Sequence, residues 1–211
     1  GDNIHSAGLK TAVFGNSDTD EKHFRMGSLI AMDSRGLIDY GDVDNVLIKD
    51  KSYPYGIRTD YKKILNEIEK IKKKASLIVI DAGDLSRLAS YNKYLNDETF
   101  SFHRENMLDE VDGFLENLVS NIDNNSMIMV ISPNLEKERL MSSSLSPVIL
   151  WSTEENQKSI LTSGTTRRDG IVANIDVAPT IARFLNVPVK NFIGHNMTTK
   201  TIQNNTEFIN K

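Results

Sequence analysis

The chain has no cysteine among its 211 residues, which excludes disulfides, thiol catalysis and cysteine-bound zinc together. That absence selects no compartment. No apolar run approaches the roughly 20 residues that span a bilayer, and no stretch reads as a signal peptide. An excess of one charge is also lacking: 25 basic residues against 29 acidic ones leave −4. No footprint for nucleic acid or an anionic membrane surface follows from that balance. There is no G-x-S-x-G elbow, so Ser-His-Asp catalysis has no support, and neither a G-x-G-x-x-G nor a P-loop pattern occurs. The four histidines, His5, His23, His103 and His195, are scattered, and none belongs to a metal-type doublet. His103 reads as a surface residue of a long helix, and His195 as a turn residue or a ligand.

What is present is ordinary for a globular protein: 39% hydrophobic and 26% charged residues. The chain begins Gly1-Asp2-Asn3 rather than with Met, and the expectation is a piece of a longer protein with its front missing. Residues 3–9 read as a helix end stopped by Gly8. Residues 11–14 read as a strand, and residues 28–32 as a second one, paired as a hairpin with 36–40 through the Asp33–Gly36 turn. Tyr61, Ile64, Leu65, Ile68 and Ile71 recur at helical spacing behind Asp60, a candidate N-cap. A long helix is expected over 97–122, with Phe100, Met107, Leu108, Val111, Leu115, Leu118 and Ile122 on its inner side. The apolar runs 76–80, 127–131 and 147–151 read as strands covered on both faces. A last helix is capped by Asp176, carries Pro179 in its first turn, and has Ile175, Ala178, Ile181, Ala182 and Leu185 on its apolar face. Alternating strands and helices predict an α/β fold: a mainly parallel central sheet with helices on both faces. One domain is expected over residues 1–197, with a polar tail or linker over 198–211.

In such sheets, sites form where loops leave the carboxyl ends of strands. Those positions carry Asn16, Ser17, Asp18 and Asp20; Asp81, Gly83, Asp84, Ser86 and Arg87; Ser132, Pro133 and Asn134; and Ser152, Thr153 and Glu154. Asp81 and Asp84 are the candidate metal ligands, because carboxylates suit hard cations, and one divalent ion (Mg, Ca, Mn or Zn) is the cofactor compatible with them. The alternative is that Asp81 caps a turn while Asp84 pairs with Arg87. Thr165, Thr166, Arg167 and Arg168, with Arg87, are the anion-binding candidates, since guanidinium forks match phosphate or sulfate oxygens and hydroxyls add donors. The alternative is a loop pinned by those same donors.

The run GIVANIDVAPTIARFLNVP, followed by Gly194, resembles the closing segment of alkaline-phosphatase-like domains, a superfamily that includes sulfatases, nucleotide pyrophosphatases and cofactor-independent phosphoglycerate mutases. AGLKTAVFGNSDTD, SLIVIDAGDLSR and SMIMVISPN look like its earlier strands. As a set, TSGTTRRDGIVANIDVAPT, IAMDSRGLIDYGDV and IDAGDLSR most resemble a branch of bacterial membrane-anchored proteins. The resemblance implies a two-metal enzyme with an early Asp, a Ser or Thr nucleophile, and Asp/His pairs. This chain keeps Asp81, has Asp84 near the place of a paired His, and has Ser132-Pro133-Asn134 in place of Asp-His-Gly. The expected function is therefore a partial or degenerate, non-catalytic domain of a larger extracytoplasmic, membrane-anchored protein, binding a small phosphate- or sulfate-type anion. The alternative is a metal-dependent phosphoester or sulfoester hydrolase, or a phosphotransferase, whose nucleophile lies in a missing N-terminal part. No nucleic-acid partner and no membrane contact by this chain itself are expected.

Overall fold

Thr11–Asn16 (β1) is buried at every residue, as a central strand covered on both faces must be. In the computed structural model, which describes residues 1–132, 145–153, 158–188, 192–202 and 208, β1 lies between two parallel neighbours, Tyr40–Asp42 (β2) and Leu77–Ala82 (β5). Gly41 stands opposite Val13 at φ +138°, and a Cβ there would lie 2.0 Å from the Val13 carbonyl oxygen. Only glycine permits that approach. Leu47–Lys49 (β3) and Ile57–Thr59 (β4) form a separate antiparallel pair.

Helices cover both faces of the parallel sheet. Tyr61–Ile71 (α3) buries Tyr61, Ile64, Ile68 and Ile71 in one cluster with Ala12, Phe14 and Phe114. The Asp60 side chain accepts from the Lys63 amide at 2.9 Å, which is the expected cap. Asp60→Ala is expected to lower stability by about 1 kcal/mol, read as a shift in a urea unfolding midpoint; an unchanged midpoint would remove the cap from the argument. Asp97–Asn121 (α5) buries Phe100, Met107 and Phe114. Phe114 meets Tyr61, with ring centroids 5.0 Å apart. Phe100 and Met107 pack with Leu88 of Asp84–Tyr91 (α4). Val111 and Leu118 pack against the same cluster as expected, Phe114 joins them, and Leu108 is exposed. The first helix, Asp2–Ser6 (α1), ends as expected: Gly8 adopts φ +75° and Leu9 N–H returns to the Ile4 carbonyl.

One expected strand is a helix. Met26–Ala31 (α2) replaces the strand at 28–32 and its hairpin, and Tyr40–Asp42 pairs with β1 instead. α2 seats Gly27 on the sheet, where a Cβ would lie 3.1 Å from the Asp81 Cβ and 3.6 Å from Val79. Val79 and Asp81 alternate with Ile78 and Ile80, which pack on the α3 side.

The chain divides into two compact units, Gly1–Asn121 and Ile122–Lys211. In the second unit Met127–Ile131 (β6) pairs with Val148–Ser152 (β7), and Ile160–Ser163 (β8) with Met197–Lys200 (β9), both antiparallel. The mainly parallel sheet therefore holds only for β2-β1-β5. An apolar run reports covered faces and carries no information on the direction of the neighbouring strand. The tail expected from residue 198 begins later, because Thr198–Lys200 belong to β9. Val177–Phe184 (α6) buries Pro179, Thr180 and Ala182, while Ile175, expected on the apolar face, is exposed. Asn186 at φ +53° ends it, with Val187 N–H bonded to the Ala182 carbonyl at 2.8 Å. Pro133, Asn134 and Glu154, named above as strand-end residues, lie outside the described residues.

Candidate functional site

The carboxyl ends of β1 and β5 bring together the first group of candidates. Ser17 donates its hydroxyl to Asp81 Oδ1 at 3.0 Å. Gly83 lets the β5 loop press on β1, since a Cβ there would lie 2.1 Å from the Asn16 carbonyl oxygen. Asp84 and Arg87 follow on α4, and both are almost wholly buried. Asp84 accepts from the Thr59 amide at 3.0 Å and from Arg87 Nη2 at 2.8 Å. Arg87 also donates to the Thr59 hydroxyl at 2.9 Å and to the Asn16 carbonyl at 2.9 Å. Its two Nη nitrogens thus join β1, β4 and α4, while its Nε is buried without a partner among the described residues. Arg87 presents no donor to a solvent anion, and Asp84 is its counter-ion. This is the structural alternative that the sequence offered for the pair.

Asp18 forms a second knot at the same edge. It accepts from His23 Nδ1 at 2.7 Å, from the Phe24 amide at 2.7 Å, and from Arg25 Nη2 at 2.8 Å. Burial pushes its carboxyl up, but the bonds from Arg25, His23 and Phe24 outweigh this and hold it below the ordinary aspartate value. Arg25 reaches Asp44 as well, at 2.7 Å. An open cleft of about 710 Å³ beside β2 is lined by Asp39, Asp42, Asp44, Lys63 and Glu67 among others, a balance that repels oxyanions. Among the described residues, no three His, Asp or Glu side chains are grouped so as to hold a metal ion.

The second group of candidates follows β8, in the second unit. Asp176 is fully buried and organises the loop. Its Oδ2 accepts from the Ser163 hydroxyl at 2.7 Å and the Ala173 amide at 2.8 Å; its Oδ1 accepts from the Thr165 hydroxyl at 2.6 Å and the His195 amide at 3.0 Å. Burial pushes this carboxyl up, and the four donors hold it below its ordinary value, hence ionised. The expected cap is corrected here: the Asp176 side chain makes no capping bond to α6. Instead it ties the loop after β8 to the segment before β9.

Thr165 and Thr166 belong to this framework. Thr165 is bound as above, and the Thr166 hydroxyl donates to the Ile171 carbonyl at 2.5 Å. Arg167 adopts φ +54° and closes a turn through its amide to the Ser163 carbonyl at 3.0 Å. Both the Arg167 and the Arg168 side chains are exposed, and no ion pair engages either among the described residues. Lys200 pairs with Asp169, the acid nearest them in sequence. The loop is therefore pinned by its hydroxyls, while its two guanidinium groups remain available. Asp81, Asp84 and Arg87 belong to the first unit and Thr165–Arg168 to the second.

Sequence reasoning missed the organising role of Asp176 and the contact of His195, whose Nδ1 lies 3.0 Å from the Thr165 hydroxyl oxygen. One signal pointed there: an acid within an apolar helical run must find donors when it is buried, and the hydroxyl-rich TSGTT supplies them. Comparison of the chain with protein-family models, with curated proteins and with solved structures gives no match.

Proposed function

We propose that this chain is a non-catalytic, alkaline-phosphatase-like module that binds a small phosphate- or sulfate-type anion on the loop from Thr165 to Arg168. The observation that carries the reading is the pair of exposed, adjacent arginines on a turn held by Ser163, Thr165, Thr166 and Asp176. A pinned loop spares a ligand much of the ordering cost of two long cationic side chains, and guanidinium forks suit tetrahedral oxyanions. The alternative, a metal-dependent hydrolase, is disfavoured by the engagement of Asp84 with Arg87 and Thr59. The motif set resembling bacterial membrane-anchored proteins supports an extracytoplasmic place within a larger membrane-anchored protein. No helix among the described residues is long and apolar enough to cross a membrane.

Calorimetric titration of the whole chain with inorganic phosphate at low ionic strength tests the reading. Replacing both arginines, Arg167→Glu with Arg168→Glu, is expected to weaken binding at least about tenfold, or 1.4 kcal/mol. Equal affinity in the double variant would refute it. Salt is expected to weaken binding to the unaltered chain, because the arginines are exposed.

A further inference from the structure

The contacts of Thr165 fix which nitrogen of His195 carries the proton. The Thr165 hydroxyl has one hydrogen, and Asp176 Oδ1, 2.6 Å away, is an ionised acceptor that takes it. The His195 amide then donates to the Thr165 oxygen at 3.2 Å. His195 Nδ1 stands 3.0 Å from the same oxygen, and with the hydroxyl proton already committed it must donate too. Neutral His195 is therefore the Nδ1–H tautomer, with the lone pair on Nε2. The residue is exposed, and its ring lies along the loop, 3.4 Å from where a Cβ on Gly164 would stand. Thr165, which fixes the ring, lies two residues before Arg167, so their Cα atoms are at most about 7.6 Å apart.

A hydrogen-bond acceptor held against the loop that carries two cationic forks can discriminate among oxyanions by their protons. Hydrogen phosphate carries two negative charges for the arginines and one P–O–H that can donate to Nε2. Sulfate has the same charge and shape at neutral pH but no proton, so its oxygen would face the Nε2 lone pair. A phosphodiester likewise has no proton to give. An acceptor held against an acceptor is worse than a missing contact, which is how polar sites reject near-isosteres.

Building on the oxyanion reading above, we propose that His195 makes this loop a site for hydrogen phosphate and a poor site for sulfate, with Nε2 accepting the ligand's proton-bearing oxygen. Thr165 and Asp176 act as positioning residues that hold the imidazole in the required tautomer.

The test titrates the whole chain with inorganic phosphate and, separately, with sulfate at pH 7.5 and matched ionic strength. Phosphate is expected to bind at least about tenfold more tightly, a difference of about 1.4 kcal/mol. The decisive variant is His195→Asn, whose side-chain amide can still donate to Thr165 from a place near that of Nδ1 but which has no counterpart of Nε2. It should bring the two affinities within about twofold, weakening phosphate and not weakening sulfate, a pattern that general loosening of the loop would not give. Nitrogen-15 spectra of the histidine rings should show His195 protonated at Nδ1 in the free chain, and at Nε2 if the tautomer assignment is wrong. Equal binding of the two anions by the unaltered chain, or a preference that survives in His195→Asn, overturns this inference and leaves the oxyanion site standing. Binding of neither anion overturns both.

Discussion

Replacing Arg87 with methionine is expected to lower the stability of the first unit by about 3–5 kcal/mol, the cost of stranding a buried carboxylate. Asp84 and Arg87 are 2% and 1% exposed, so water cannot take over the charge when its partner is removed. The same substitution frees the Asn16 carbonyl and the Thr59 hydroxyl, each of which receives a guanidinium hydrogen bond. Helices α3, α4 and α5 all lie in this unit, so far-ultraviolet circular dichroism during urea unfolding reports on it. Pairing Arg87→Met with Asp84→Leu should recover a large part of the loss, because an apolar pair of similar volume leaves no unmatched charge. A double variant as unstable as Arg87→Met alone would show that packing, and not charge, is what the pair supplies. Undiminished stability in Arg87→Met would contradict the role assigned to it.

The second unit has a corresponding weak point at Asp176. Asp176→Ala removes one acceptor side chain and leaves the Ser163 and Thr165 hydroxyls and the Ala173 and His195 amides without it. Hydrogen bonds to a charged group contribute about 1.5–3 kcal/mol each, and they are not additive. A loss of about 3–5 kcal/mol is expected. Trp151, the one tryptophan of the chain, stands in β7 of this unit, so its fluorescence follows the transition. The loop should lose its form together with its stability, and phosphate binding should fall in Asp176→Ala even where the unit remains folded. Asp176→Asn is expected to fare little better, since one of its two side-chain atoms becomes a donor facing donors. A variant with unchanged fluorescence transition would show that the loop does not depend on this carboxylate.

Where apolar spacing was long and regular, the sequence announced the element. α3 and α5 were readable because Ile64, Ile68 and Ile71, and Phe100 and Met107, repeat over many turns. Residues 28–32 failed for the opposite reason: a stretch with four apolar residues fits a strand or a helix equally, and contact with β1 and β5 accompanies the helix over Met26–Ala31. The direction of the β6–β7 pair was hidden, since both strands carry the same unbroken apolar pattern that a parallel sheet would show. At the candidate sites, the sequence named chemistry-bearing residues without their partners. It offered Arg87 as an anion ligand, and only the arrangement of Asp84, Thr59 and Asn16 around it shows both Nη nitrogens engaged and the group buried. It read Asp176 as a helix cap because of its place before Pro179, whereas the residues that claim its oxygens lie up to 19 positions away. His195 read only as a turn residue or a ligand, because its contact is with a hydroxyl 30 residues earlier.

The most direct test of a non-catalytic oxyanion site is a phosphorus-31 spectrum of inorganic phosphate and an aryl phosphate together with the whole chain, in the presence of Mg²⁺ and then Zn²⁺. The inorganic phosphate line should broaden on addition of the chain and sharpen again with the Arg167→Glu, Arg168→Glu variant, while the aryl phosphate signal keeps its intensity over hours. Metal-dependent conversion of the aryl phosphate, abolished in Asp81→Ala, would contradict the proposal and restore the hydrolase.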